Sequence, residues 1–236
     1  MAYQGIVILT GAGISAESGL RTFRDNGGLW EDHSIEEVAT PQGFDANPSL
    51  VHKFYNQRRA QLQHALPNAA HNALARLEAE HQGDVTTITQ NVDNLHEQAG
   101  SKRILHMHGE LQQVRCTFCD TTHTWTQDCD DTSLCPSCGA ASSLRPNIVW
   151  FGEMPFHLDQ IDRALASCDL FISIGTSGNV YPAAGFVSAV RRMNRAYTVE
   201  INLEPSVGVS LFHEARHGPA GTLVPEFVDA LLNKGD

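Results

Sequence analysis

Apolar residues in this chain come in short unbroken blocks. Residues 5–10, Gly-Ile-Val-Ile-Leu-Thr, form the first, the signature of a parallel strand buried on both faces. Residues 85–89 (Val-Thr-Thr-Ile-Thr), a β-branched run, 169–174 (Asp-Leu-Phe-Ile-Ser-Ile) and 196–201 (Ala-Tyr-Thr-Val-Glu-Ile) also read as strands, with shorter strand-like runs from Ile104 and over 148–151. Between them the spacing turns helical. Pro67 opens a helix that puts Ala70, Ala73, Leu74 and Leu77 on one face. Residues 157–167 turn Leu158, Ile161 and Leu165 inward, 183–195 continue as a helix, and Pro225 starts a closing amphipathic helix. Residues 29–66 are irregularly helical, with Pro41 and Pro48 as breakers. Strands alternating with helices predict an α/β fold with a parallel sheet.

Ligands of such sheets bind at the carboxyl ends of the strands, and polar residues crowd there. The first strand opens into Gly-Ala-Gly-Ile-Ser-Ala-Glu-Ser-Gly over 11–19. Gly11 and Gly13 permit a tight turn and close approach to a phosphate, with a helix N-terminus expected to follow. The strand at 85–89 ends in Gln90, Asn91 and Asp93, and the next apolar run ends in His106 and His108. Strand alternation predicts that the two histidines share a face. Gly175, Thr176, Ser177 and Gly178 form a second small-residue loop suited to phosphate or ribose, and Asn202, Leu203 and Glu204 follow another strand. A hydride-transfer dehydrogenase would carry an acidic residue at the end of a second strand about 20 residues past the glycines. Residues 21–28 read Arg-Thr-Phe-Arg-Asp-Asn-Gly-Gly instead. They predict a loop whose Arg21, Phe23 and Arg24 act as a lid.

Composition narrows the class. A 42% hydrophobic content suits a globular chain with a substantial core. No apolar run approaches the roughly 20 residues of a membrane span, and the first residues carry no secretory signal. The expectation is a cytoplasmic protein with no membrane partner. A net charge of −11 argues against a nucleic-acid surface. Four of the six cysteines form two C-x-x-C pairs, Cys116 with Cys119 and Cys135 with Cys138, fifteen residues apart. That spacing predicts a closed four-cysteine zinc site with a structural role. Cys129 and His123 lie outside the pairs, Cys168 reads as a small core residue, and His71 as a structural histidine. Tyr55 and Arg58 are three apart, so they share a helix face. A phenol beside a guanidinium can clamp a carboxylate, although spacing alone favours a half-buried tyrosine beside a surface arginine.

Taken together, 11–19, Thr-Phe-Arg-Asp at 22–25, Gln-Asn-Val-Asp at 90–93, His-Met-His-Gly at 106–109, the cysteine pairs, Phe-Gly-Glu at 151–153, Gly-Thr-Ser at 175–177 and Asn-Leu-Glu at 202–204 resemble the sirtuins. These are NAD-dependent protein deacylases, and the bacterial class grouping with desuccinylating and demalonylating members is the nearest in kind. The resemblance implies a Rossmann-type NAD-binding domain from 1–30, 66–110 and 150–236. A helical insertion (31–65) and a zinc module (111–149) would form a smaller domain. NAD and acyl-lysine would meet in the cleft between the two.

By that resemblance, Ala12, Ser15, Arg24 and Ser177 surround the pyrophosphate, and Gly11, Gly13, Gly175 and Thr176 also belong to the cofactor site. Asn202, Glu204 and Ala220 hold the adenosine end, with Leu203 beside them in the cofactor site. Gln90 bonds the nicotinamide ribose, Asn91 and Asp93 line the nicotinamide pocket, and Phe23 shields the reactive face. Val149, Phe151 and Gly152, with 179–181, pair with the substrate peptide. Tyr55 and Arg58 match the pair that marks enzymes accepting succinyl and malonyl groups. His108 is the general base on a ribose hydroxyl, a task suited to an imidazole of pKa roughly 6.5; which of His106 and His108 serves rests on the family match at the His-Gly step. The expected products are nicotinamide, O-acyl-ADP-ribose and free lysine, made by a monomer. Two alternatives remain open at this stage: protein mono-ADP-ribosyl transfer, and a zinc-ribbon protein that senses NAD.

Overall fold

The computed structural model describes residues 3–20, 29–30 and 33–233, with the backbone alone at 29–30. In chain order its elements are β1 (Gly5–Thr10), β2 (Leu29–Trp30), β3 (His33–Ser34), α1 (Ile35–Val38), α2 (Pro41–Ala46), α3 (Pro48–Leu62), α4 (Ala69–Glu80), β4 (Asp84–Thr89), α5 (Leu95–Ala99), β5 (Ile104–His106), β6 (Gly109–Cys116), β7 (Thr122–Thr124), β8 (Leu144–Ile148), α6 (Leu158–Ser167), β9 (Leu170–Ile174), α7 (Phe186–Met193), β10 (Tyr197–Asn202), β11 (Glu214–His217) and α8 (Ala220–Leu232). Among the described residues no helix is long and apolar enough to cross a membrane. The described chain divides into two compact units, one from 1–22, 66–107 and 157–236, the other from 23–65 and 108–156.

The first unit is a parallel sheet in the order β11-β10-β9-β1-β4-β5. From β1 the chain reaches β4 on one side and β9 on the other, so the strand order reverses at β1, where open α/β sheets bind ligands. Alternation along β1 feeds both faces. Ile6 and Ile8 pack with Leu74, Leu77, Val224 and Val228 from α4 and α8. Val7 and Leu9 pack with Ile161, Leu165, Val187 and Val190 from α6 and α7. Two layers of helix thus bury the sheet on both sides, which is why its central strands β1 and β9 read as largely apolar blocks. Two details differ from the sequence reading. The glycine loop is followed by single 3-10 turns, Ala12–Ile14 and Ala16–Ser18, and not by a helix. The closing helix begins at Ala220 and carries Pro225 inside it.

The second unit holds an antiparallel sheet, β7-β6-β8, a small β2-β3 hairpin and helices α1, α2 and α3. Pro41 and Pro48 start α2 and α3 rather than breaking a helix. Each stands at the first helical position, where its missing N–H costs nothing. Thr40 and Asn47 cap the two helices by accepting the amides of Gly43 and Leu50. The strand expected at 148–151 lies earlier, ending at Ile148. Beyond it Val149 N–H turns to His108 O (2.9 Å), Trp150 N–H to the Glu153 carboxylate (2.8 Å), and Phe151 N–H to Ala39 O (2.9 Å). Likewise β5 stops at His106, so strand alternation does not extend to His108.

Candidate functional site

The carboxyl ends of β1, β4 and β9 converge at the switch point. Gly11 N–H donates to Ile174 O (3.0 Å) and Gly13 N–H to Gly175 O (2.8 Å). A Cβ on Gly13 would lie 2.7 Å from the Gly175 Cα, and one on Gly11 2.8 Å from its carbonyl oxygen. These glycines therefore let two strand-end loops lie backbone to backbone, a role the motif alone did not reveal. The Gln90 amide reaches past the end of β1 and donates to Thr176 Oγ1 (3.0 Å). Asn202, at the end of β10, donates to Thr176 O (2.8 Å). Gly11, Gly13, Gln90, Gly175, Thr176 and Asn202 thus belong to one connected rim. Ser177 Oγ accepts the Asn179 amide (3.3 Å) beside it, whereas Leu203 and Glu204 are exposed. Ala220 is the buried first residue of α8, and the Glu17 carboxylate accepts the next amide, Gly221 N–H (2.8 Å). A carboxylate there complements the helix dipole. Phe23 and Arg24, and the lid expected around them, lie outside the described residues.

Behind this rim is a buried polar cluster. Ser15 Oγ donates to Asp93 Oδ2 (3.0 Å) and accepts from Asn91 Nδ2 (3.1 Å). Leu95 N–H donates to Asp93 Oδ1 (3.1 Å), and Asn91 N–H to Thr89 Oγ1 (3.0 Å). Burial pushes the Asp93 carboxyl up from the ordinary carboxylate range, against the pull of the Leu95 amide and the Ser15 hydroxyl. The cluster presents an amide and a carboxyl with fixed orientations, suited to a ligand that offers both a donor and an acceptor.

Two histidines underlie it. His71 Nδ1 accepts the Asn68 amide (3.3 Å), so the neutral ring carries its proton on Nε2, facing Ser15 Oγ at 3.5 Å. His96 Nε2 meets Thr10 Oγ1 at 3.0 Å, and Thr10 in turn donates to Thr89 (2.9 Å). The rings stand 5.0 Å apart. Burial lowers His71 to about 4, and burial followed by repulsion from neighbouring histidines lowers His96 to about 3. Both are neutral when folded, whereas an unfolded histidine protonates near pH 6.5. The unfolded chain then binds more protons, so stability present above pH 6.5 is lost as pH falls toward the folded values. From pH 7 to 5 the loss should reach about 2 kcal/mol per histidine. Urea midpoints at the two pH values measure it, and His96→Gln should shrink the difference; an unchanged pH dependence in that variant would contradict the assignment.

His106, which ends β5, is held at both ring nitrogens: Nδ1 faces Asn91 O (3.2 Å) and Nε2 faces Glu97 Oε1 (2.6 Å). Both partners are acceptors, so the ring sits between the Asn91 carbonyl and the Glu97 carboxylate and ties the two together. Glu97, on α5, gave no signal in the sequence. His108 belongs to the second unit and is half-buried. Its carbonyl accepts the Val149 amide, and its neighbour Gly109 has φ +84°. A Cβ on Gly109 would sit 2.0 Å from Asn147 O, so the His-Gly step is fixed by backbone geometry.

On α3, in the same unit, Tyr55 is fully buried and Arg58 is half-buried, its guanidinium 5.7 Å from the Phe54 ring. Burial raises the Tyr55 phenol, opposed by the Trp150 hydrogen bond and by Arg58. Trp150 Nε1–H donates to the Tyr55 oxygen (2.9 Å). Val149 and Phe151 use their amides within the unit, as described above, while Phe151 and Gly152 are exposed and Gly152 takes φ +91°.

The four paired cysteines meet in this unit. Their sulfurs all lie within 4.8 Å of one another, with Cys116–Cys138 and Cys119–Cys135 at 3.7 Å. A tetrahedron with Zn–S of about 2.3 Å has S···S edges of about 3.8 Å, so the donors fit zinc and are too far apart for disulfides. Each C-x-x-C turn closes alike: Asp120 N–H returns to Cys116 O (2.9 Å) and Gly139 N–H to Cys135 O (2.8 Å). Asp120 and Gly139 are both left-handed, at φ 57° and 74°. Ser143, Thr121 and His123 stand 3.3, 3.4 and 3.6 Å from Cys116, Cys119 and Cys135, as outer partners that orient ligands do. With four sulfurs the set is closed, leaving no position for a substrate.

A model of the Sir2 family matches residues 11–182. The NAD-dependent protein deacylase of Vibrio parahaemolyticus serotype O3:K6 is 56% identical over 232 residues, 98% of this chain and 96% of the relative. Among solved structures, a Sir2 homologue in complex with NAD superposes with a TM-score of 0.90 at 38% identity, covering 99% of this chain and 91% of the other. Sir2 bound to an acetylated peptide superposes with a TM-score of 0.80 at 29% identity, covering 99% and 94%.

Proposed function

The chain belongs to the Sir2 family, and on that premise we propose that it is an NAD-dependent protein-lysine deacylase that removes acetyl, succinyl and malonyl groups. The observation that carries the reading is the Ser15–Asn91–Asp93 cluster at the sheet's switch point, in a chain this similar to a protein named as a deacylase. The proposed balance is acyl-lysine, NAD and water giving lysine, nicotinamide and O-acyl-ADP-ribose. NAD, when bound, supplies a ribose carbon whose bond to nicotinamide can break. Asn91 and Asp93 hold the carboxamide end, Gln90 the adjoining ribose, and Ala12, Ser15, Arg24 and Ser177 the pyrophosphate. Asn202, Glu204 and Ala220 take the adenosine, and Phe23 shields the reacting face. His108 accepts a proton from a ribose hydroxyl. His106 is not assigned that task, because both its ring nitrogens face acceptors within the first unit. The backbone at Val149, Phe151 and Gly152 receives the peptide. Zinc, in the closed cysteine set, supplies folding energy and no reacting position. The protein acts as a cytoplasmic monomer without nucleic-acid partners.

Tyr55 and Arg58 are assigned to the free carboxylate of an acidic acyl chain. Arg58→Met is expected to lower kcat/KM for desuccinylation by roughly 10- to 150-fold, the loss of one charge-assisted bond, and to change deacetylation little. Matched acetyl-, malonyl- and succinyl-lysine peptides with nicotinamide release as readout measure this. Equal losses on all three would remove the clamp. Absence of NAD-dependent release from every peptide would remove the deacylase reading, and ADP-ribose on the protein product would favour ADP-ribosyl transfer.

A further inference from the structure

Trp150 has a place in the second unit that no motif explains. It is buried, with the Arg145 guanidinium 3.5 Å over its ring and Phe44 5.3 Å away. Arg145 is itself buried and holds Glu153 through two bonds, 2.6 and 3.0 Å, while also donating to Ile148 O (2.9 Å). Glu153 closes the loop by accepting the Trp150 amide (2.8 Å). Turning the indole would break its stacking against Arg145, which Glu153 holds in place. Its one polar atom, Nε1–H, donates to the Tyr55 hydroxyl at 2.9 Å. An indole nitrogen only donates, and a phenol can do either.

We propose that Trp150 is a positioning residue for acyl specificity: by donating to the Tyr55 oxygen it turns the phenol proton away from itself and commits Tyr55 to donate toward a carboxylate. The proposal rests on the assignment of Tyr55 and Arg58 to the acidic acyl group. Loss of the indole N–H removes the donor that keeps a lone pair of this oxygen turned toward Trp150, and a lone pair presented to the carboxylate would repel it. Glu153 and Arg145 act one step further back, by holding the indole in place.

The test is the ratio of succinyl- to acetyl-peptide kcat/KM, read for Trp150→Phe, Tyr55→Phe and the double variant. Trp150→Phe keeps an aromatic ring for Arg145 and removes the donor. The ratio should fall roughly 3- to 10-fold, the size of one neutral hydrogen bond, chiefly through the succinyl KM. Tyr55→Phe should lower it as well, and adding Trp150→Phe to Tyr55→Phe should then change it no further. Equal loss on both peptides in Trp150→Phe, or a full second fall of the ratio in the double variant, would overturn the proposal. Should Trp150→Phe fail to fold, 3-benzothienylalanine at position 150 keeps the bicyclic shape without the N–H, and the same outcomes apply. If Tyr55→Phe lowers the ratio and neither change at 150 does, this proposal alone falls. If Tyr55→Phe leaves the ratio untouched, the acidic clamp falls and the proposal goes with it.

Discussion

His108→Ala is expected to lower kcat/KM by roughly 10²- to 10⁴-fold on acetyl, malonyl and succinyl peptides alike, the usual worth of a general base. The variant should keep its zinc and its thermal midpoint. The backbone around it is set by main-chain geometry, Val149 N–H on the His108 carbonyl and the positive φ of Gly109, and both survive removal of the ring. Added imidazole should restore part of the rate if the lost function is proton acceptance. His106→Ala should behave differently. It releases Asn91 and Glu97, so its loss should appear in the KM for NAD and in stability, and imidazole should not rescue it. A His108→Ala protein with full turnover would end the assignment, as would a His106→Ala protein that imidazole restores.

The contrast between these two histidines also shows what the sequence could tell. Residues 5–10 and 169–174 were legible as strands because a parallel strand covered on both faces is apolar at most positions, and 85–89 because its residues are all β-branched. Glu-Ala-Arg-His at 214–217 is an edge strand with one neighbour, and edges carry charge rather than an apolar block. It gave no signal. Gly109–Cys116 is only half covered, with a shifted register between Gly109 and Val114, which blurs its period. Pro41, Pro48 and Pro225 misled for a shared reason: proline is compatible with a helix start and costly inside one, and the residue alone does not say which, whereas the Thr40 and Asn47 caps mark the starts at Pro41 and Pro48. At the site, residue types at strand ends were readable because chain direction alone sends them to one edge of the sheet. Their mutual contacts were not. Ser15 with Asp93, Gln90 with Thr176 and Tyr55 with Trp150 are 78, 86 and 95 residues apart, and no periodicity encodes such pairs.

Loss of the metal should have the largest effect on the fold. Apparent zinc-binding free energies at structural sites run to about 10–16 kcal/mol in small zinc modules, as large as the whole stability of an ordinary domain. The sequence around 116–138 explains why this chain should depend on its ion. Its local apolar cluster is small, Val114, Cys129 and Leu144 beside the buried ligands Cys116 and Cys135, with Trp125 packed against it, and four thiols brought within 4.8 Å repel once ionised. The bound protein should contain one zinc per chain. Cys119→Ser should release it and expose 111–149 to proteolysis, with activity falling in step. Cys129→Ser is the matched control. That thiol is buried outside the tetrad, and its backbone is held from both sides by Asn56, which accepts its amide and donates to its carbonyl at 3.0 Å each. Zinc content should therefore survive the change. Metal analysis, protease sensitivity and turnover measured on the same samples decide between a support and a reacting ion. A stripped protein that resists protease as before yet no longer turns over would make the ion catalytic, against the closed four-sulfur geometry. Recovery of fold and activity together on adding zinc back would show that the thiolates act by holding the chain.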